Sequence, residues 1–256
     1  MSIALQNLGV RYRARVALAD VSFTALPRRV TALCGPNGSG KSSLVRAVAG
    51  LVPSTGSIGL AGPAGGAGRP RVGYMPQDIT APPALSAIEV VLLGRLSTLA
   101  LRIDPADLAA AAEVLDRLGI ADMANRDVRE LSGGQRQLVF LAQALCGSPA
   151  VVLLDEPTSA LDLRHQLQVL SLLRELVRER GLTCLVVLHD LNAAARYADD
   201  IALMAEGRLI GFGPPSRIFT RDSVARAFGV EAAVGAAPDG CVTVTALRPL
   251  DDSMLV

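Results

Sequence analysis

Short continuous apolar runs alternate along the chain with helical periodicities. Arg29–Cys34 (RVTALC) reads as a buried strand, and Ser42–Ala49 (SSLVRAVA) as a helix stopped by Gly50. Val151–Leu154 (VVLL) and Thr183–Leu188 (TCLVVL) have the unbroken apolar character of parallel strands covered on both faces. Between them, Leu163–Arg180 places Leu163, Leu167, Leu170, Leu173, Leu176 and Val177 on one helical face. Gly181 supplies the stop, and Arg178 and Arg180 lie near the negative end of the helix dipole. Ile201–Met204 and Arg208–Phe212, joined by Glu206-Gly207, read as a hairpin. This alternation predicts an α/β fold with crossover helices.

Two regions depart from it. Residues 59–70 (GLAGPAGGAGRP) have the composition of a loop. Residues 85–130 carry no strong strand signal, and 85–145 read as a helical insertion, with one helix opening at Asp104-Pro105 and stopping at Gly119. The tail from 214 onward is weakly patterned apart from a strand at Val242–Leu247, and there are no internal repeats.

Composition narrows the class. A formal net charge of +1 gives no electrostatic footprint for nucleic acid. No apolar run approaches the roughly 18–20 residues needed to span a bilayer, and the start (MSIALQNLGVRYRARV) lacks the features of a signal peptide. The expected location is therefore the cytosol or the cytosolic side of a membrane. Cys34, Cys146, Cys184 and Cys241 are scattered without a C-x-x-C pair, as buried reduced thiols would be. Lys41 is the chain's single lysine, and it lies in a glycine-rich loop. A compact ammonium on a flexible stem enters a narrow phosphate cradle that a planar guanidinium does not.

That loop, Gly35–Ser42 (GPNGSGKS), fits G-x-x-x-x-G-K-[ST] between a strand and a helix, the context of a P-loop. Its glycines let backbone N–H groups wrap phosphates. Lys41 would neutralise the β- and γ-phosphates, and the Ser42 hydroxyl would ligate Mg²⁺. Asp155 and Glu156 end the VVLL strand, at the sheet edge where parallel sheets bind ligands. Asp155 is placed to hold Mg²⁺, and Glu156 to orient or deprotonate an attacking water; alternatively, Asp-Glu-Pro merely ends a strand. His189 ends the next apolar run and either reaches the γ-phosphate or is a helix-capping or core histidine. Gln77, in YMPQD, is either a Mg²⁺-touching carboxamide or a loop residue without a role. Tyr12 either stacks on adenine or packs within a strand. His165 is read as a surface residue. A second phosphate-gripping stretch, Ser132, Gly133, Gly134 and Gln135, sits where a helical pattern begins.

In order, the P-loop, Gln77, LSGGQ at 131–135, VVLLDEP at 151–157, SALD at 159–162 and His189 resemble the ATP-binding-cassette ATPases over nearly the whole chain. The resemblance implies an α/β P-loop NTPase (RecA-like) core with an inserted helical subdomain and an N-terminal antiparallel β subdomain. It implies one domain over 1–256, with the nucleotide-binding core from 1–84 and 146–256 and the helical subdomain at 85–145. Tyr12 would stack on adenine. Gly35, Asn37, Gly38, Ser39, Gly40, Lys41, Ser42 and Ser43 would bind the triphosphate of ATP, with Mg²⁺ on Ser42, Gln77 and Asp155. Glu156 would be the general base, His189 the switch, and Gln77 the link to a transmembrane partner. Ser132, Gly133, Gly134 and Gln135 would grip the nucleotide of a second copy, and Asp162 would lie at that interface. Ser43 stands in place of the more usual threonine, and LPRRV at 26–30 lacks the usual turn glycine.

SALDLRHQLQVL, VVLHDLNAAARYADD, Gly94-Arg95 and Phe228–Val230 are similar to the ATPases of bacterial importers for ferric siderophores, haem and vitamin B12. The expectation is an ATP-hydrolysing importer subunit for an iron-siderophore-type chelate. It would pair with a second copy and two membrane permease subunits, and indirectly with a substrate-binding protein, peripheral to the cytoplasmic face of the inner membrane. A DNA-repair or translation cassette would carry a second cassette, a coiled coil, zinc cysteines or a basic extension. A GTPase would need N-K-x-D, which the lone lysine excludes.

Overall fold

The computed structural model describes residues 1–61, 70–78, 84–95 and 104–250. In chain order the elements are β1 (Ser2–Tyr12), β2 (Arg15–Ala25), β3 (Arg29–Cys34), α1 (Lys41–Val48), β4 (Thr55–Ala61) and β5 (Val72–Met75). Three helices follow: α2 (Ala87–Leu93), α3 (Pro105–Arg117) and α4 (Gly133–Cys146). Next come β6 (Val151–Leu154), α5 (Leu163–Arg180), β7 (Thr183–Val187), α6 (Leu191–Tyr197), β8 (Asp200–Ala205) and β9 (Arg208–Gly213). The last are α7 (Pro215–Ile218), α8 (Arg221–Phe228), β10 (Val230–Ala236) and β11 (Val242–Pro249).

The central sheet has the order β5-β6-β7-β3-β8-β9, parallel except for the antiparallel edge strand β9. Its parallel strands are largely apolar because both faces are covered, with Thr31, Thr183 and Asp200 as buried polar residues among them. Val30, Ala32, Cys34, Val152, Leu154, Cys184 and Val186 face a core shared with the helices α2 to α6 and α8. Leu33, Val151, Leu153, Leu185, Val187, Ala202 and Met204 face a second core, built with α1 and the antiparallel sheet β2-β1-β4. Two alternating sets per strand follow from the period of two.

Several local readings find their physical reasons here. Asp104 caps α3 by accepting from the Ala106 N–H at 2.8 Å, with Pro105 at the first helical position. The β8–β9 turn puts Glu206 at φ 49 and Gly207 at φ 74, the two left-handed residues of a tight hairpin. Arg28 adopts φ 62, so an arginine takes the left-handed position of the turn that lacks a glycine, and its N–H bonds Leu182 O at 2.7 Å.

Other expectations are corrected. In α5 the buried face is Val169, Leu170, Leu173, Leu176 and Val177, while Leu163 and Leu167 stand exposed. The helix lies over the sheet only from its second turn onward. The tail is ordered: α7, α8 and the β10–β11 hairpin account for 215–249. The loop read at 59–70 has its first residues, to Ala61, in β4, and 62–69 lie outside the described residues.

Candidate nucleotide site

The register of the parallel sheet assembles the site. Met75 pairs with Leu154, Leu154 with Val186, and Leu33 with Val187, so these strands end at one edge. The segments that leave this edge carry Gln77, then Asp155 and Glu156, then His189, then the P-loop. β7 lies between β6 and β3, so His189 emerges between the acidic pair and the P-loop.

A cleft of about 500 Å³ opens there, lined by Tyr12, Arg15, Ala17, Asn37, Gly38, Gly40, Lys41, Ser42, Ser43, Gln77 and Glu156. It brings together residues from four separate stretches of chain. A cleft of about 600 Å³ lies elsewhere, on the antiparallel sheet around Asn7, Val16 and Asp20, and it carries none of this chemistry.

Gly40 takes φ 100 at the N-cap of α1, and a Cβ there would sit 2.6 Å from Ala17 O. Only glycine fits, both by conformation and by space. The first-turn amides of α1 have no partner within the helix, and Lys41, Ser42 and Ser43 line the cleft, so the helix start offers it an anion site. The β8–β9 turn props the loop from behind, since Gly207 N–H donates to Ser39 O at 3.2 Å. Lys41 is 5% exposed and donates to the loop carbonyls Gly35 O at 2.8 Å and Pro36 O at 2.9 Å. Burial lowers its pKa, opposed by the charges of Glu156 and Asp155.

Asp155 is fully buried. Its Oδ1 accepts from Ser42 Oγ at 3.0 Å, while its Oδ2 has no hydrogen-bond partner among the described residues. Burial raises its pKa, and the Ser42 hydrogen bond opposes that. A buried carboxylate oxygen without a partner, beside a hydroxyl and below a phosphate loop, fits a divalent cation such as Mg²⁺. Ser39 Oγ is likewise buried without a partner.

Glu156 stands at φ 57, uncommon for a residue other than glycine. Its Oε1 lies 2.6 Å from His189 Nε2. His189 therefore touches the carboxylate beside the cleft rather than merely capping α6, whose cap is Asp190, accepting from Asn192 N–H.

Other expected residues are not in this cleft. Ser132 caps α4 in a reciprocal box with Gln135, through Gln135 N–H to Ser132 Oγ at 3.2 Å and Ser132 N–H to Gln135 Oε1 at 3.0 Å. Gly133 and Gly134 open the same helix, and neither they nor Ser132 and Gln135 line the cleft. Asp162 caps α5 and accepts from the His165 backbone and ring. His165 is exposed.

Two site residues escape the sequence reading. Arg15 lines the cleft, with its guanidinium about 3.5 Å from where a Cβ on Gly38 would lie. Only its charge marks it in the sequence. Gln137 is 4% exposed and binds the loop after Glu156. The signal was a polar residue within the inward set Gly134, Gln137, Leu138 and Leu141, spaced i, i+3, i+4, i+7.

Residues 18–159 match the family described as ABC transporter. The chain belongs to the ABC transporter family. It is 36% identical over 254 residues to a cobalamin import ATP-binding protein of Halobacterium salinarum, covering 96% of this chain. The chain spans 64% of the length of that relative. It is 39% identical over 255 residues to a hemin import ATP-binding protein of Gloeobacter violaceus, covering 94% of this chain and 92% of that one. Among solved structures, a metal-chelate type ABC transporter in an inward-facing conformation superposes with a TM-score of 0.82 at 30% identity, over 99% of both chains. The α/β core, the antiparallel β-sheet and the helices between β5 and β6 are thus the ABC ATPase fold. No helix among the described residues of this ABC chain is long and apolar enough to cross a membrane.

Proposed function

We propose that this chain is the ATP-hydrolysing subunit of an ABC importer for a metal chelate. The observation that carries this reading is the division of its phosphate chemistry. One cleft holds a whole P-loop with Asp155, Glu156 and Gln77 at hand, while Ser132–Gln135 form a second anion-binding helix start outside it.

The catalytic reading follows from the groups at the cleft. The P-loop amides and Lys41 bind the phosphates, and Tyr12, 40% exposed at the rim, offers a face to the base. Ser42, Asp155 and Gln77 would hold Mg²⁺, which when bound neutralises charge on the phosphates. Glu156 orients a water and accepts its proton, and His189 fixes the carboxylate's orientation through its 2.6 Å contact. Ser132 and Gly134 complete the site of a second copy, so two chains close head to tail on two ATP molecules. Asp162, exposed at the N-cap of α5, belongs to that interface. Residues 85–145 form the helical subdomain, and 1–84 with 146–256 the nucleotide-binding core.

The proposed partners are two membrane permease subunits, with the chain peripheral at the cytoplasmic face and a substrate-binding protein acting through them. The cargo is a metal chelate, a class that includes the ferric siderophore of the sequence reading, haem and cobalamin. Support comes from the named cargoes of the relatives and from the metal-chelate type transporter. The test is reconstitution of the chain with its permease in vesicles. Stimulation of ATP hydrolysis by a binding protein loaded with a ferric siderophore, haem or cobalamin identifies the chelate. Stimulation by a non-metal cargo alone would overturn the reading.

A further inference from the structure

Gln137 joins the Ser132–Gly134 end of α4 to the loop that follows Glu156. It lies one helical turn beyond the Ser132–Gly134 end of α4 and is 4% exposed. Its Nε2 donates to Glu156 O at 2.7 Å and to Ser159 Oγ at 3.2 Å. Its Oε1 accepts from Ala160 N–H at 2.9 Å. Ser159 Oγ also donates to Glu156 O, at 3.2 Å. Both ends of the carboxamide are thus engaged by the 156–160 loop. Gly134 sits against the same loop, where a Cβ would come 2.9 Å from Ala160 O.

The loop so gripped begins at a strained residue, since Glu156 has φ 57 and precedes Pro157. Such a conformation persists only where surrounding contacts over-determine it. A buried carboxamide with donor and acceptor satisfied is a stiff link, because moving either part orphans polar groups away from water. A helix transmits displacement along its axis with little give. A displacement at the Ser132 end of α4 would therefore reach the Glu156 backbone through this link.

We propose that Gln137 is a positioning residue that locks Glu156 to the phosphate-gripping end of α4, so that the nucleotide seated on Ser132–Gly134 sets the pose of the base in this chain's own cleft. The inference rests on the shared-site reading above. It makes ATP hydrolysis at one site depend on occupancy of the other.

The experiment measures ATP turnover by the full chain across ATP concentrations, for the parent, Gln137→Met, Gln137→Glu and Ser159→Ala. Gln137→Met is expected to lower kcat roughly 10- to 100-fold, the scale of an ångström's misplacement of a catalytic group. KM should stay within roughly threefold, and the Hill coefficient should fall from above one to about one. Gln137→Glu keeps the acceptor for Ala160 and gives up the donor to Glu156, and should behave like Gln137→Met. Ser159→Ala, at an exposed residue, should lower the Hill coefficient without unfolding risk. A Gln137→Met enzyme with parental kcat and Hill coefficient, whatever its melting temperature, overturns the inference. If that variant does not fold, an unchanged Hill coefficient in Ser159→Ala overturns it, as does a parent without cooperativity. ATP-driven dimerisation of Glu156→Gln checks the shared-site reading separately: a chain that stays monomeric sinks both, and one that dimerises leaves only the Gln137 link at stake.

Discussion

The imidazole of His189 and the carboxylate of Glu156 meet at 2.6 Å, although 33 residues separate them in sequence. The order β6-β7-β3 creates this meeting, because it puts the end of β7 between the acidic strand and the P-loop. The Glu156 carboxylate is thereby oriented by the fold itself. Glu156→Gln keeps the shape and removes the proton acceptor. It is expected to lower ATP turnover by about 10²- to 10⁴-fold while nucleotide affinity changes little. His189→Ala should also lower turnover, since it frees the carboxylate from its orientation. Phosphate release with parallel nucleotide titration checks both, and a Glu156→Gln chain hydrolysing near the parental rate would exclude the base assignment.

Ser132 supplies an N-cap whose oxygen faces the helix start where a second copy's phosphate would sit. Ser132→Arg removes that cap and fills the space with a long cation. On the proposed roles a single chain binds nucleotide in its own P-loop cleft, so that binding should stay within about twofold of the parent. ATP-driven dimerisation in the Glu156→Gln background should disappear. Light scattering with and without ATP reads this directly, and dimers persisting unchanged would refute the role.

Asn192 grips β11 from both sides, with Nδ2 to Val244 O at 3.2 Å and Oδ1 from Val244 N–H at 2.8 Å. It thus ties α6, which follows His189, to the last hairpin. Asn192→Ala orphans both backbone groups of a residue that is 8% exposed. A loss of about 1–3 kcal/mol in unfolding free energy is expected. Chemical denaturation measures it, and a parental midpoint would show that the grip adds nothing.

Burial pushes the Cys34 thiol up to about 12 from 9.0, with Lys41 opposing and Asp190 adding to the rise. A folded value above the unfolded one contributes stability that is complete below pH 9. That stability is lost as pH climbs from about 9 to about 12, where the unfolded chain releases a proton that the folded chain keeps. The parent's stability should therefore fall more steeply than that of Cys34→Ala across this window. The difference in slope is about 1.4 kcal/mol per pH unit. Urea denaturation at intervals from pH 8 to 11 checks it, and parallel slopes would count against the burial argument.

The parts of the fold legible in sequence are those with a single dominant signal. Arg29–Cys34 and Val151–Leu154 match their strands to the residue because a strand buried on both faces reads as a short, mostly apolar run, interrupted here only by Thr31. Leu163–Arg180 matches because Gly181, at φ 70, ends it. The P-loop was readable because its glycines answer to one geometry. The misses are as informative. β10 is rich in alanine and glycine, which carry little β-propensity, and it forms because β11 pairs with it. Leu163 and Leu167 fit the helical face by spacing, yet tertiary packing begins only beyond them. Gln137 went unnoticed because its role depends on where the 156–160 loop folds back, which no local pattern encodes.

Lys41, tucked against its own loop carbonyls, has one more consequence. It is the only side-chain amine in the chain. A reagent that acylates amines therefore finds a single side-chain target, and that target sits at the floor of the nucleotide cleft. Peptide mass mapping after brief labelling, which separates Lys41 from the chain's α-amine, then reports occupancy of the cleft with no introduced tag and no competing lysine to subtract.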